Sequence, residues 1–411
     1  MKEAVDVVVI GGGAAGCFAA IQAGTHFPEA RIVILERGIK PLAKVKISGG
    51  GRCNVTNTVS DPVELSANYP RGERFLRKAF YSFSSSHMIQ WLSDRGIELR
   101  EYPDGCLFPV TNDSQTIIDC FLSELKKLRI PLRLESRVDS VQQTENGWEV
   151  TTPSGTITCK SVVLTVGGQP KISGFQLLKS VDLKIIPPIP SLFTFNMPNE
   201  PIRELMGVVT ENASVRIIGE KWSTSGPLLI THWGMSGPAV LKCSAFGARI
   251  LEEKGYKSGI LVNWTDFLKQ DEVRAALIEW KSSNKKLLNT PLFQIKSRLW
   301  TYLLGKCEFH EDLRWSELGS RQENKLIEVL INDVYQMEGK TTFKEEFVTA
   351  GGIDLAEIDV KTMQSKRYRG LFFAGEVMDI DGVTGGFNFQ AAWTTSTIAG
   401  KSVLLNQTEE K

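Results

Sequence analysis

The sequence predicts an α/β fold whose main domain draws on both ends of the chain and is interrupted by a β-rich and then a helical segment. Three observations predict it. Val5, Val7, Val8, Val9 and Ile10 form an apolar run that opens into Gly11, Gly13 and Gly16; a second run, Arg31 to Leu35, ends in Glu36; a third, Gly370 to Ala374, ends in Gly375 and Glu376.

Short apolar runs without alternation are what strands covered on both faces require. The first leads straight into G-x-G-x-x-G, and Ala14, Ala15, Ala19, Ala20 and Ile21 follow at helical spacing, so the opening unit reads strand, helix, strand. Each glycine has a task in a dinucleotide cradle. Gly11 permits a tight turn, Gly13 lets the backbone approach a pyrophosphate, and Gly16 lets helix and strand pack closely. The phosphates would rest on the positive end of the helix. Glu36, about 20 residues past the last glycine, can accept hydrogen bonds from a ribose diol and repels a 2′-phosphate, which selects FAD or NAD over NADP.

At 411 residues the chain exceeds the size at which one core keeps growing, so several domains are expected. Lys and Arg number 48 against 47 Asp and Glu. Such a balance argues against a chain wrapped in nucleic acid and leaves a local basic groove open. No stretch approaches the ~20 consecutive apolar residues of a membrane span, and a soluble cytoplasmic protein, monomeric or a small homo-oligomer, is expected. Cys17, Cys53, Cys106, Cys120, Cys159, Cys243 and Cys307 are scattered without C-x-x-C, which disfavours a redox disulfide. The histidines do not approach them at zinc-like spacing, so no metal is expected.

Arg37 to Asp61 reads as a long loop with the densest glycine cluster of the chain, Ser48-Gly49-Gly50-Gly51-Arg52-Cys53-Asn54. Its backbone N–H groups suit a pyrophosphate or a flavin ring. Helices are expected over Ser84 to Arg95 and Ser114 to Lys127, and β-runs near Arg133 to Val141, Trp148 to Thr151, Thr156 to Cys159 and Ser161 to Val166, the last entering Gly167-Gly168. Pro187, Pro188 and Pro190 mark a boundary. The expected division is 1–190 and 343–411 for the cofactor domain, with a β-rich insertion over 191–265 and a helical one over 266–342. After Gly375-Glu376, the stretch Asp379 to Asn388 leads into a helix from about Phe389 to Ala399, and a helix start there would stabilise negative charge on a reduced flavin ring.

The chain resembles the HI0933-like flavoproteins, also called the BaiN-like or aminoacetone-oxidase family. The residues that carry the resemblance are Gly11 to Gly16, Lys44 with Ser48 to Asn57, Thr231-His232-Trp233-Gly234-Met235-Ser236-Gly237-Pro238, and Gly375 to Asn388. The resemblance implies a two-dinucleotide-binding-type, Rossmann-like FAD domain with a β-barrel-like and a small helical insertion. It implies FAD contacts at Gly11, Gly13, Ala14, Ala15, Gly16, Glu36, Arg37, Lys44, Ser48, Gly51, Arg52 and Asn54, and further ones at Val138, Gly167, Gly375, Glu376, Gly386, Phe387 and Asn388. The chain departs from the family pattern at Cys106, where an arginine is usual, which puts an anion contact there in doubt.

A flavin supplies the electron chemistry, so the protein has to position the ring and bring a substrate to it. His232, Cys53 and Arg52, with Ser236, are the candidates for substrate contact or catalysis. A lone histidine is more often structural, and Cys53 fits small-residue packing as well as a reactive thiol. Tryptophans 222, 233, 264, 300 and 315 read first as core. The leading expectation is an FAD-dependent oxidoreductase moving hydride between flavin and a small organic substrate, with NAD(P)H as a candidate transient donor. Two alternatives stand beside it: an RNA-modifying flavoenzyme that reduces a base, for which Lys126, Lys127, Arg129, Lys281, Lys285, Lys286 and Arg298 are the candidate basic footprint, and a non-catalytic flavin-binding protein.

Overall fold

The computed structural model describes residues 3–341 and 348–405, and the chain forms two compact units, Met1–Ser191 with Lys344–Lys411, and Leu192–Phe343. The expected boundary between 342 and 343 lies outside the described residues.

The first unit is built on a five-stranded, wholly parallel sheet. β1 (Val7–Ile10) leads into α1 (Ala14–His26) and β2 (Ile32–Leu35). The stretch expected as a loop is in part helical: α2 spans Ala43–Gly51, held by fully buried Val45 and broken where Ser48, Gly49 and Gly50 leave helical geometry. α3 (Glu73–Phe80), β3 (Cys106–Pro109), α4 (Gln115–Lys127) and β4 (Leu132–Arg133) follow, then β5 (Ser161–Leu164) and β6 (Ile185–Ser191). The expected strand over Arg133 to Val141 is two short ones, because 134–139 turns away from the sheet.

In the second unit, β7 (Val209–Ile217), β8 (Thr224–Ile230), α5 (Pro238–Phe246) and β9 (Lys257–Asn263) precede α6 (Ser297–Lys306), α7 (Ser320–Ile331) and β10 (Asp333–Glu338). Its seven-stranded sheet ends in β10 on one side and Lys340–Thr341 on the other. Gly339 joins them, donating to Tyr256 O at 2.8 Å and accepting from Asn196 N at 3.0 Å, so the two ends of the sheet meet there. The segment around α6 and α7 is an excursion between β9 and β10, which pair antiparallel from Lys257 to Val262. Strands and helices share one core containing Trp264, Trp300, Trp315, Leu326 and Tyr335. Each of these tryptophans has its N–H satisfied inside, as Trp264 by Asp333 at 2.9 Å and Trp300 by Leu287 O at 2.7 Å.

The chain returns to the first unit with β11 (Val348–Ile353), β12 (Leu371–Phe373) and α8 (Phe387–Ser402). The parallel sheet runs β12-β5-β1-β2-β4, with Val163 between Val9 and Phe372. Burial on both faces explains its unbroken Val, Ile, Leu and Phe. α8 is buried over most of its length. All its hydroxyls but that of Ser396 donate within the helix, Thr395 to Ala391 O at 2.7 Å and Thr397 to Trp393 O at 2.9 Å, so polar side chains there carry little desolvation cost. It packs on α1 at contact distance, Ser396 donating to Ala15 O at 2.8 Å, and a Cβ on Gly400 would stand 2.6 Å from Ala19 O. Among the described residues no helix is long and apolar enough to cross a membrane.

Candidate functional site

Gly11 has φ +109° and a Cβ on it would stand 2.5 Å from Thr165 O. Gly16 approaches more closely still: its Cβ would be 1.8 Å from Gly11 O. A Cβ on Gly13 would meet nothing within 4 Å, so that side of the turn faces open space. Gly13 is also the N-cap of α1 and no side chain caps the helix, which leaves first-turn N–H groups for a ligand. Thr165 locks the turn from the neighbouring strand, its hydroxyl donating to Ile10 O at 2.8 Å and reaching Gly11 O at 3.0 Å.

Glu36 closes the end of β2. Its carboxylate accepts from Gly12 N and Gly38 N, both at 2.6 Å, so the acid is oriented by backbone before any ribose arrives. Ser136 N donates to Glu36 O at 2.8 Å, bringing the segment with half-buried Val138 alongside, while Arg37 is exposed.

The break in α2 places Gly49, Gly50 and Gly51 in succession at φ +56°, +68° and +84°. Successive left-handed residues turn their N–H groups toward one side, a concavity that suits an anion. Ser48 donates its hydroxyl to Val45 O at 2.8 Å, and Arg52 Nε donates to Gly49 O at 3.1 Å. Asn54 Oδ1 is buried with no hydrogen-bond partner. Beyond it, Asn57 Nδ2 donates to Gly385 O at 3.1 Å and Thr56 Oγ1 to Gln390 Oε1 at 2.7 Å, which ties this segment to the front of α8.

α8 starts at Phe387 after Gly385 and Gly386, both with positive φ, and no side chain caps it. The Asn388 amide is committed to Gly382, accepting from its N and donating to its O at 2.9 Å each, so what this helix end offers a ligand is backbone N–H. Gly375 lies against α1: a Cβ on it would stand 2.8 Å from Ala15 Cβ. Glu376 takes Lys44 Nζ at 2.9 Å and Thr349 N at 3.0 Å. Gly167 is open to space, whereas Gly168 is covered by Thr349 and Glu376. Two uncapped helix ends, the opening at Gly13, the glycine concavity and the orphaned Asn54 oxygen together fit FAD.

Of the proposed chemistry-bearing residues, Arg52 and Cys53 lie in this unit and His232 in the other. The Arg52 guanidinium stands 4.5 Å over the Phe108 ring and 5.7 Å from that of Tyr102, whose hydroxyl it reaches at 3.5 Å. Cys53 is fully buried, and burial pushes its thiol up to about 12, against a small opposing effect of Ser48. A thiol so held carries no useful thiolate at neutral pH, and Cys53 is a packing residue at φ +62° rather than a nucleophile. His232 is exposed at the tip of a turn closed by Thr231 and Gly234, with Arg203 Nε on its carbonyl oxygen at 2.7 Å. Cys106, where the family pattern has arginine, bonds Asp104 Oδ2 at 3.2 Å.

Sequence reasoning missed Thr165, Thr349, Tyr102 and the pair of Arg71 with Asp381. Asp381 is fully buried, takes two guanidinium bonds from Arg71 and a hydroxyl bond from Ser191 at 2.6 Å. Asp381 stood in a quoted motif, but nothing local points to Arg71. Among the described residues no cluster of His, Cys, Asp or Glu could hold a metal ion.

The model of the HI0933-like protein Rossmann domain matches residues 5–402. The ribosomal RNA dihydrouridine synthase of Escherichia coli strain K12 is 30% identical over 414 residues, covering 98% of each chain. The 3-dehydro-bile acid delta(4,6)-reductase of Clostridium scindens is 26% identical over 406 residues, covering 96% of this chain and 98% of its own. The 3-ketosteroid-delta4-(5alpha)-dehydrogenase structure from Rhodococcus jostii RHA1 shares the fold with a TM-score of 0.52 at 14% identity, covering 98% of this chain and 97% of its own.

Proposed function

The chain belongs to the HI0933-like family of FAD-dependent oxidoreductases, and from that premise we propose that it saturates a carbon–carbon double bond conjugated to a carbonyl, with a uracil base of RNA as the substrate. The observation that carries the reading is that two full-length relatives named for different substrates share one kind of bond. Dihydrouridine is uridine reduced at a ring double bond beside a carbonyl, and a 4,6-unsaturated 3-oxo steroid is conjugated in the same way.

When bound, FAD reduced by NAD(P)H supplies a hydride, and a proton completes the saturated bond. The protein's own part is to hold and to polarise. The turn Gly11 to Gly16, with the Ala14 and Ala15 amides, would take the pyrophosphate, and Glu36 would take a ribose diol. Lys44, Ser48, Gly51, Asn54, Gly167, Gly375, Glu376 and the Gly386–Phe387 amides would hold the rest of the cofactor. The α8 N-terminus favours negative charge placed against it. Arg52, kept in place by Phe108 and Tyr102, stabilises the charge that develops on the substrate carbonyl oxygen, a contribution worth about 10²–10³ in kcat for one such donor.

A small conjugated ketone is the second reading, favoured by the bile acid reductase relative. Anaerobic titration with NADH and NADPH, followed by addition of ribosomal RNA or cyclohexenone, separates the two. Bleaching by a nicotinamide and reoxidation by RNA with dihydrouridine formed supports the RNA reading, and reoxidation by cyclohexenone alone moves the assignment to the second. Flavin that no acceptor reoxidises would sink the proposed reaction.

A further inference from the structure

We infer that the outer face of α3 is a contact surface for the RNA backbone, an inference that rests on the RNA reading above. Arg74, Arg77, Lys78 and Tyr81 fall at i, i+3, i+4 and i+7, a single stripe along a helix, Tyr81 being the C-cap in right-handed helical geometry. The opposite face, Leu76, Ala79 and Phe80, is buried. Arg74 and Lys78 are exposed, Arg77 is half-buried, and Tyr81 is 70% exposed.

None of the three side chains makes an ion pair or hydrogen bond with another described residue, and the three share one helix face with an exposed aromatic ring. Of the seven basic residues expected from sequence to form a footprint, Lys126 and Arg129 are exposed and unpaired among the described residues, and the other five are engaged by neighbouring groups. Lys127 pairs with Glu124 at 2.6 Å, Lys281 with Glu323, and Lys286 with Asp312. Arg298 Nη2 donates to Glu204 O at 3.1 Å, and Lys285 stands 5.7 Å over the Trp280 ring. An unpaired cation can neutralise a phosphate and so release a counterion from the nucleic acid, whereas a paired one must first give up its carboxylate. Seven residues of helix span about 10 Å at 1.5 Å per residue, room for roughly three phosphates of one strand.

Tyr81 favours a nucleic acid over an acidic protein or a lipid surface, because an exposed ring beside cations offers a base a face on which to stack. The position of the stripe also suits a substrate. Phe80 packs on Tyr69 with ring centroids 5.5 Å apart, and the Tyr69 hydroxyl donates to Phe387 O at 2.6 Å, the first residue of α8. One layer of side chains therefore separates the stripe from the helix end assigned to the flavin.

The test measures fluorescence anisotropy of a labelled single-stranded RNA of about 20 nucleotides with the FAD-loaded protein, from about 50 to 300 mM KCl, a series over which phosphate contacts are read as slope. The wild type is compared with R74Q/R77Q/K78Q, the single variant K78Q and Y81A, with bound-FAD absorbance as the control for folding. Three lost phosphate contacts should flatten the slope of log K against log salt by about two and weaken binding about a hundred-fold at 0.1 M salt, and K78Q should flatten it by about 0.7. Y81A should weaken binding about ten-fold with the slope unchanged. RNA binding with an equal slope in wild type and charge variants overturns the surface and leaves the RNA reading standing. A wild type that ignores RNA but is reoxidised by cyclohexenone overturns both. Phosphatidylserine vesicles or polyglutamate binding through the same residues as tightly as RNA would remove RNA as the occupant.

Discussion

Lys44 and Glu376, 332 positions apart in sequence, form an ion pair of 2.9 Å. It joins the broken helix α2 to the segment that follows β12, and Thr349 N holds the same carboxylate from another side. The Lys44 side chain is 54% exposed, so the pair adds little to folding, roughly 0–1 kcal/mol. K44M should leave the melting temperature of the FAD-free protein within a few degrees and weaken FAD binding about ten-fold, or about 1.4 kcal/mol. FAD fluorescence quenching measures the second quantity, and an unchanged affinity would remove Lys44 from the site.

Gly13 and Gly16 should respond to alanine in opposite ways. A methyl group on Gly16 collides with Gly11 O at 1.8 Å, whereas one on Gly13, at φ −83°, has open space. G16A should cost about 3 kcal/mol or more in urea unfolding. G13A should fold like the wild type and lose FAD from gel filtration, because the methyl group would occupy the place proposed for the pyrophosphate.

Arg71 and Asp381 should behave as a coupled pair. Asp381 is fully buried and Arg71 nearly so, and removing one partner strands a buried charge at a cost of about 3–5 kcal/mol. D381A and R71M should each fall in that range in urea unfolding. R71M/D381L should cost clearly less than their sum; simple additivity would mean that the two side chains do not support one another.

Alkaline stability should decline in a defined window. Cys17, Cys53 and Cys159 are each pushed up to about 12 by burial, from an ordinary value of 9.0. Between those values the unfolded chain loses protons that the folded chain keeps, so the unfolded state binds fewer protons and stability falls as pH rises. The loss is about 1.4 kcal/mol per pH unit for each thiol, with no contribution below pH 9. Urea midpoints from pH 8 to 11 should show the decline, and C53A should flatten it by one thiol's share. At pH 8 the native protein should not be alkylated at Cys53.

How much could be read in advance follows from the range of each interaction. The strands β1, β2 and β5 were legible because burial on both faces writes an apolar run that no distant contact has to explain. The starts of α1 and α8 were legible because their glycines serve a local backbone need. α2 was not foreseen, since one buried valine holds it and three glycines mask it.

By itself the sequence determined the α/β class, the strands buried on both faces, the dinucleotide turn and the family, all of which rest on periodicity, glycine stereochemistry or motif. Only the tertiary structure decided which charges are spent and which are left over. Lys44 finds Glu376, Arg71 finds Asp381, and Lys286 finds Asp312, while Arg74, Arg77 and Lys78 find no partner among the described residues. The physical reason is that an ion pair depends on two side chains arriving within about 4 Å, and for residues hundreds of positions apart that distance is set by the packing of every element between them.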